Sequence, residues 1–387
     1  MLKVGGLFSG IGGFELGLER NGYETSFFCE ILPEAKRVLN THFEGIPIFD
    51  DITVLKKIPE VDVLTAGFPC QDLSIAGTKT GINGQNSSRV DHLFRLLKDQ
   101  VNSKPKWLLI ENVAYMLSLD KGKAMWHLVK QIEGLGYRWA YRVLDARSLG
   151  VKQRRLRVIF AASRVAHPKH ALFNEDIGRN PFDDSVSRIE NDANYGFYWT
   201  EGFRGIGWAK EAIPPIKGGS GLGIPSPPAV WNSSHDFFGT PSIQDAEIFQ
   251  GFPAEWTAPI EEDGEFKQRH RWKLVGNAMC VPMSNWVGQA IRKPTELSDT
   301  ATAWDSNGGA WPKAAFGEGG RIYQVGATPW LFEPNCGSLS DSLLNPLKPL
   351  SHRAAAGFYN RACRSQNVVY SKKFMMSIEK YMRMTSP

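Results

Sequence analysis

Apolar residues follow two alternating rhythms through residues 1–163. Short apolar runs at Val4–Phe8, Thr25–Cys29, Val61–Ala66 and Trp107–Ile110 predict strands. Between them the spacing turns helical. Phe14–Glu19 is stopped by Gly22, and Pro33 opens a helix that reaches about His42. Arg89–Val101 sets Val90, Leu93, Phe94 and Leu97 on one face, and Ala124–Leu135 ends at Gly136. Tyr141–Leu144 and Arg157–Ala162 complete the strands. Strands alternating with helices predict an α/β domain over residues 1–163, with a Rossmann-like, mostly parallel sheet.

The pattern changes after Ser163. Residues 164–239 lose periodicity and gather glycine, proline and aromatic residues, as in Tyr195-Gly196-Phe197-Tyr198-Trp199, which predicts a small, loop-rich second domain. Residues 240–293 look globular again, with helices near Ser242–Gln250 and Met283–Arg292, and read as a return segment completing the first domain. Residues 294–387 form a C-terminal extension whose role the pattern leaves open. Its first part is polar and glycine-rich, and a helical basic tail follows from about Ala354.

Composition narrows the class. The 387 residues are 42% hydrophobic and 22% charged, which excludes a disordered chain and fits two or three domains. No run of 18 apolar residues predicts a membrane span, and the glycine-rich start does not resemble a signal peptide. The five cysteines are scattered with no C-x-x-C pair, which points to a reducing cytoplasm and no zinc ribbon. His167 and His170 have ligand-like spacing but no companion cysteine, so no metal is expected. The net charge is +5, and the cations cluster. One group is Lys152, Arg154, Arg155, Arg157, Arg164 and Lys169. The other is the tail, with Arg353, Arg361, Arg364, Lys372, Lys373, Lys380 and Arg383 against Glu379. Such clusters suit a nucleic-acid partner or a solvated basic face.

Ligands of open α/β sheets bind outside the carboxyl ends of the strands. Four predicted strands deliver Phe8-Ser9-Gly10-Ile11-Gly12-Gly13, then Glu30, then Gly67-Phe68-Pro69-Cys70-Gln71, then Glu111-Asn112-Val113 to that edge. The glycine loop lacks the third glycine of a dinucleotide fingerprint, because Glu15 stands there. A glutamate suits a ligand without phosphates. Glu30 follows Gly10 at the distance where such folds place a carboxylate on ribose hydroxyls. A nucleoside without pyrophosphate, such as S-adenosylmethionine, meets both conditions. Cys70 offers a nucleophilic thiol. Gln153-Arg154-Arg155-Leu156-Arg157 puts Arg155 and Arg157 on one face of a strand start.

Two later motifs complete a set, Gln250-Gly251-Phe252-Pro253 and Gly276-Asn277-Ala278-Met279. Together, in this order over residues 2–293, the six motifs resemble those of the DNA (cytosine-5)-methyltransferases of bacterial restriction–modification systems and phages. The resemblance implies a methyltransferase domain, a target-recognition domain at 164–239, and S-adenosylmethionine as methyl donor. For the donor it implies contacts from Phe8, Gly10, Ile11, Gly12, Gly13, Glu30, Asp51, Ile52, Pro69, Asn277 and Met279. It implies that Cys70 attacks C6 of a flipped cytosine, that Glu111 bonds N3 and the exocyclic amine, and that Arg157 with Arg155 holds the O2 side, supported by Gln153. The loop Ser74–Asp91 would close over the extruded base.

The implied partner is double-stranded DNA, with a cognate restriction endonuclease in the cell. The enzyme would act as a monomer at the cytoplasmic nucleoid. The transfer-RNA subgroup of the same family carries a Cys-Phe-Thr tripeptide, and none occurs here. One departure stands out. Thr240-Pro241-Ser242-Ile243-Gln244-Asp245 lacks the arginine usual in that motif, which leaves the packing of this segment open.

Overall fold

The computed structural model describes the chain except residues 69–88, 101–102, 204, 219–226, 263, 296–300, 306–308, 335–336 and 387. The elements run in chain order as β1 (Leu2–Leu7), α1 (Gly13–Glu19), β2 (Tyr23–Cys29), α2 (Pro33–His42), β3 (Ile48–Phe49), β4 (Val63–Ala66), α3 (Arg89–Asp99) and β5 (Trp107–Val113). Then come α4 (Lys123–Gly134), β6 (Arg138–Asp145), β7 (Leu156–Ser163), α5 (Lys169–Leu172), β8 (Asn194–Phe197), β9 (Ala209–Lys210), β10 (Ala229–Asn232) and β11 (Phe238–Thr240). The last are α6 (Ile243–Phe249), α7 (Gln268–Asn277), α8 (Val281–Arg292), β12 (Thr302–Ala303), β13 (Ala314–Glu318), β14 (Arg321–Gln324), β15 (Lys348–Pro349), α9 (His352–Cys363) and α10 (Lys372–Met384). They form two compact units. One holds Met1–Ser148, Leu156–Arg179 and Met279–Phe332; the other holds Leu149–Arg155, Asn180–Ala278 and Glu333–Pro387.

The first unit is an α/β, Rossmann-like fold. Its ten-stranded sheet has the order β12-β14-β13-β6-β7-β5-β4-β1-β2-β3. Strands β3 to β5 of that row pair in parallel, and the pairs from β5 through β12 are antiparallel. Every residue of β4 is buried, as expected of a strand covered by helices on both faces. Pro33 begins α2, where its missing N–H costs nothing. Val90, Leu93, Phe94, Leu96 and Leu97 of α3 are buried against the sheet, in the core that also takes Ala124, Met125, Leu128 and Val129 of α4. Late in the chain, α8 returns to α1 and β2. Asn21 Nδ2 donates to the Asn285 carbonyl at 2.8 Å and the Tyr23 hydroxyl to that of Gly288 at 2.9 Å.

Residues 302–324 add three antiparallel strands that the sequence pattern did not reveal. The strands are short, and β13 reads Ala-Ala-Phe-Gly-Glu, with no β-branched residue to mark it. Their hold is aromatic. Trp311 packs on Trp126, Trp139 and Tyr141 at centroid distances of 5.0, 6.0 and 6.3 Å.

The second unit has a five-stranded antiparallel sheet, β15-β11-β10-β8-β9. No strand here exceeds four residues, too short for an alternation to register in the sequence. Its core is Tyr195, Phe197, Trp208, Trp231 and Phe238, joined by Phe358 of α9 and Phe374, Ile378 and Tyr381 of α10. The segment lacking the motif arginine is closed by other means. Ser242 and Asp245 form a capping box at the start of α6, and Glu247 accepts from Arg271 of α7 at 3.0 Å. Among the described residues, no helix is long and apolar enough to cross a membrane.

Candidate active site

The first unit's chain runs from β1 outward through β2 and β3, then returns to β4 on the other side of β1. This reversal is a topological switch point, where doubly wound sheets open a crevice at the strands' carboxyl ends. The registers align the edge. Cys29 pairs with Leu7, Leu7 with Ala66, and Ala66 with Ile110. The next residue on each strand is therefore Glu30, Phe8, Gly67 and Glu111, side by side. The antiparallel β7 enters at the same edge, with Arg157 opposite Val113.

The glycine loop turns sharply. Phe8 has φ 56°, Gly10 56° and Gly12 80°, a left-handed region that glycine enters without strain. Gly13 then begins α1 and Ile11 is buried. The Gly10 N–H donates to Glu30 Oε2 at 2.7 Å, and the Leu32 N–H to Glu30 Oε1 at 2.9 Å. Burial pushes the Glu30 carboxyl up, opposed by these backbone donors. A Cβ on Gly10 would meet nothing within 4 Å, so the loop faces open space there. Phe8 packs edge-on to Phe68 at 6.1 Å. Asp51 accepts the Thr53 N–H at 2.8 Å, and Arg95 donates to the carbonyls of Ile52 and Leu55 at 3.3 and 2.8 Å.

Beside the loop stands a buried ion pair. Arg157 Nε lies 2.6 Å from Glu111 Oε1, with the two side chains 12% and 10% exposed. Glu111 Oε2 is 4.0 Å from the point that a Cβ on Gly67 would take, and so is the Phe8 carbonyl oxygen. The acid thus reaches toward the end of β4.

Other expected residues fall elsewhere. Pro69 and Cys70 lie outside the described residues, as do residues 74–88 of the expected closing loop; Arg89 to Asp91 of it begin α3. Arg155, expected beside Arg157, belongs to the second unit. It is buried there and donates to the carbonyls of Gly276 and Ala278 at 3.2 and 2.8 Å. The reason is local: Arg155 precedes β7, whereas Arg157 is within it. Gln153 is likewise spent in the second unit, donating to the Phe249 carbonyl at 3.0 Å and accepting from the Ile216 N–H at 3.0 Å. Asn277 ends α7 in that unit, and Met279 begins a segment of the first. His167 Nε2 lies 3.0 Å from the Gly317 carbonyl oxygen.

Two residues of the edge were not singled out from sequence. Asn112 donates to the Phe68 carbonyl at 3.0 Å, fastening the end of β5 to that of β4. Its place beside Glu111 was the available signal. Glu15 is the second; it appeared only as a missing glycine, and its surroundings are described below.

Comparison with known proteins agrees with this geometry. The profile of the family described as C-5 cytosine-specific DNA methylase matches residues 2–195. The chain is 48% identical over 382 residues to the type II methyltransferase M2.BsuMI of Bacillus subtilis (strain 168), covering 98% of each chain. It is 27% identical to the type II methyltransferase M.Bsp6I of Bacillus sp. (strain RFL6), over 76% of this chain and 99% of that one. In fold it resembles the crystal structure of S. pombe Dnmt2 methyltransferase, with a TM-score of 0.53 at 17% identity, covering 76% of this chain and 99% of that one. The chain belongs to the C-5 cytosine-specific DNA methylase family. Its activity is that of a DNA (cytosine-5)-methyltransferase.

Proposed function

We propose that the chain methylates C5 of a flipped cytosine in double-stranded DNA, with S-adenosylmethionine as donor, as the modification enzyme of a type II restriction–modification system. The observation that carries this reading is the register alignment of Phe8, Glu30, Gly67 and Glu111, with Arg157 entering beside them. It puts the glycine loop and the Glu30 carboxylate next to an acid and a guanidinium.

The residues fit the donor. A ribose wants a carboxylate, an adenine wants an aromatic face, and the open approach at Gly10 leaves the backbone accessible. Phe8, Gly10, Ile11, Gly12, Gly13, Glu30, Asp51 and Ile52 would hold it, with Pro69, Asn277 and Met279 completing the pocket. When bound, S-adenosylmethionine supplies an electrophilic methyl group on a sulfonium sulfur.

The chain's residues prepare the base. The Cys70 thiolate adds to C6, which makes C5 nucleophilic. Glu111 hydrogen-bonds the exocyclic amine and gives a proton to N3, while Arg157 stabilises charge at O2. After C5 is methylated, water takes the C5 proton, N3 returns its proton to Glu111, and the C6–S bond breaks to release the Cys70 thiolate as the ring regains aromaticity. Arg155 supports the segment carrying Asn277 and does not touch the base. The base must leave the duplex, at a cost of a few kcal/mol. The second unit, which holds most of residues 164–239, would read the sequence, and the first unit would do the chemistry. The enzyme would work as a monomer at the cytoplasmic nucleoid beside a cognate endonuclease.

Duplex DNA containing 5-fluorocytosine tests this, because fluorine cannot leave as the proton does. With S-adenosylmethionine present, a denaturation-resistant adduct is expected, mapping to the peptide of Cys70. An adduct on Cys29 or Cys280, or labelling of RNA in place of DNA, would refute it.

A further inference from the structure

Under the glycine loop lies a carboxyl that the chemistry above leaves unused. Glu15, in the first turn of α1, is fully buried. One of its oxygens, Oε1, accepts from Thr65 Oγ1 at 2.8 Å. Thr65 is in β4, the strand that leads through Gly67 toward Cys70. The other oxygen, Oε2, is buried with no hydrogen-bond partner, and so is Ser9 Oγ of the glycine loop. The Glu15 carboxyl and the Ser9 hydroxyl both border the bare backbone of Gly6. Glu15 Oε1 and Ser9 Oγ lie 2.4 and 2.6 Å from the point that a Cβ on Gly6 would occupy. Only glycine at position 6 leaves them that space.

A buried carboxyl without a cation is driven to its neutral form. Among the described residues no cation pairs with Glu15, and Glu19, one turn on, adds a like charge. β1 and β4 bring Gly6 and Thr65 to it, and α8 brings Ser284 to the adjoining Phe14 carbonyl, all uncharged. Burial raises the carboxyl from 4.5 to about 7. A neutral acid can donate from one oxygen and accept on the other, whereas a carboxylate only accepts.

We propose that Glu15 is a positioning residue that, as a neutral acid, joins Ser9 of the glycine loop to Thr65 of β4. It thereby fixes the methyl-donor loop against the strand that delivers the nucleophile. This rests on the reading of the glycine loop as the donor site.

The test compares Glu15→Gln, which keeps one donor and one acceptor, with Glu15→Ala, which keeps neither. Affinity for S-adenosylhomocysteine is measured by calorimetry on the protein without DNA, and KM and kcat are measured beside it. Glu15→Ala is expected to weaken donor affinity and raise KM about tenfold, the loss of about one buried hydrogen bond, with kcat nearly unchanged. Glu15→Gln is expected to stay near wild type.

The pH profile supplies the readout that mere packing would not move. Wild-type affinity should fall as pH rises past about 7, while that of Glu15→Gln stays level. If the two profiles coincide, or if Gln is as poor as Ala, the proposal is overturned. The wild-type/Gln pair decides the matter even if Glu15→Ala does not fold. A wild-type protein with no affinity for S-adenosylhomocysteine would instead overturn the donor-site reading itself.

Discussion

Arg157 Nε stands 2.6 Å from Glu111 Oε1, across two neighbouring antiparallel strands. The pair is nearly dry, so each charge relies on the other. Arg157 occupies one oxygen of the carboxylate, while Glu111 Oε2 is turned toward Gly67. Glu111 is thus held in one orientation by its partner on the neighbouring strand.

Glu111→Gln keeps the size but cannot pass a proton. Turnover should drop by about 10²–10⁴, the usual worth of a general acid, with binding of donor and DNA unchanged. Single-turnover assays on a cognate duplex measure this. A drop below tenfold would remove Glu111 from the proton-donor role.

Cys70→Ala should abolish methylation, by a factor above about 10³, while donor and DNA binding persist. Gel-shift and calorimetric titrations, run beside a methylation assay, separate the two effects. Residual turnover of a few per cent would exclude a covalent role for the thiol.

Arg155→Ala should act on stability. It strips the carbonyls of Gly276 and Ala278 of a charged donor, at a cost of about 3 kcal/mol. Arg155→Lys should recover only part, because an ammonium cannot reproduce the planar fork. Urea denaturation is the measurement. A variant that keeps full stability but loses turnover would return Arg155 to the base.

Much of the first unit was readable because its helices are amphipathic and its inner strands are uniformly apolar. Pro33, Gly22 and Gly136 mark boundaries, and the strand ends locate Glu30 and Glu111. Arg155 parts from Arg157 because two residues of one motif straddle the start of β7, and alternation along a strand cannot say where the strand begins. The strands at 302–324 and in the second unit stayed hidden because two to five residues carry too little periodicity. In the sequence Glu15 reads as a charge facing the ligand, whereas it is buried beneath the loop. Its meaning depends on Thr65, fifty residues away, and on the bare backbone at Gly6.

Phe374 is fully buried and lies 5.1 Å from Trp208 and Trp231 and 5.4 Å from Phe197. Phe374→Ala should cost about 3–5 kcal/mol, seen as a lower melting temperature. Removing residues 351–387 should leave protein that does not stay in solution. A soluble truncation of unchanged melting temperature would show that the tail is no part of this core.

Glu15 should also leave a mark on stability. The folded chain holds its proton more tightly than the unfolded chain, since the carboxyl rises from 4.5 to about 7. Its contribution is therefore complete below about pH 4.5 and is lost as pH climbs through about 7, by about 3 kcal/mol in all. Glu15→Gln should lack this slope. Unfolding free energies of the two proteins across that window, differing by a constant, would contradict the shift.

The late joining of α8 to α1, of β13 to β6 and of Phe374 to Trp208 bears on the order in which the chain can fold. Each contact brings together residues made far apart in time during translation. A nascent chain can form the β1–β5 alternation early, but it must wait for Ala314 to Glu318 to cover β6 and for α10 to fill the aromatic core. Until then both cores expose apolar surface, the condition under which partly made chains need chaperone protection. Both cores are therefore closed only once the segments from β13 to α10 have been made.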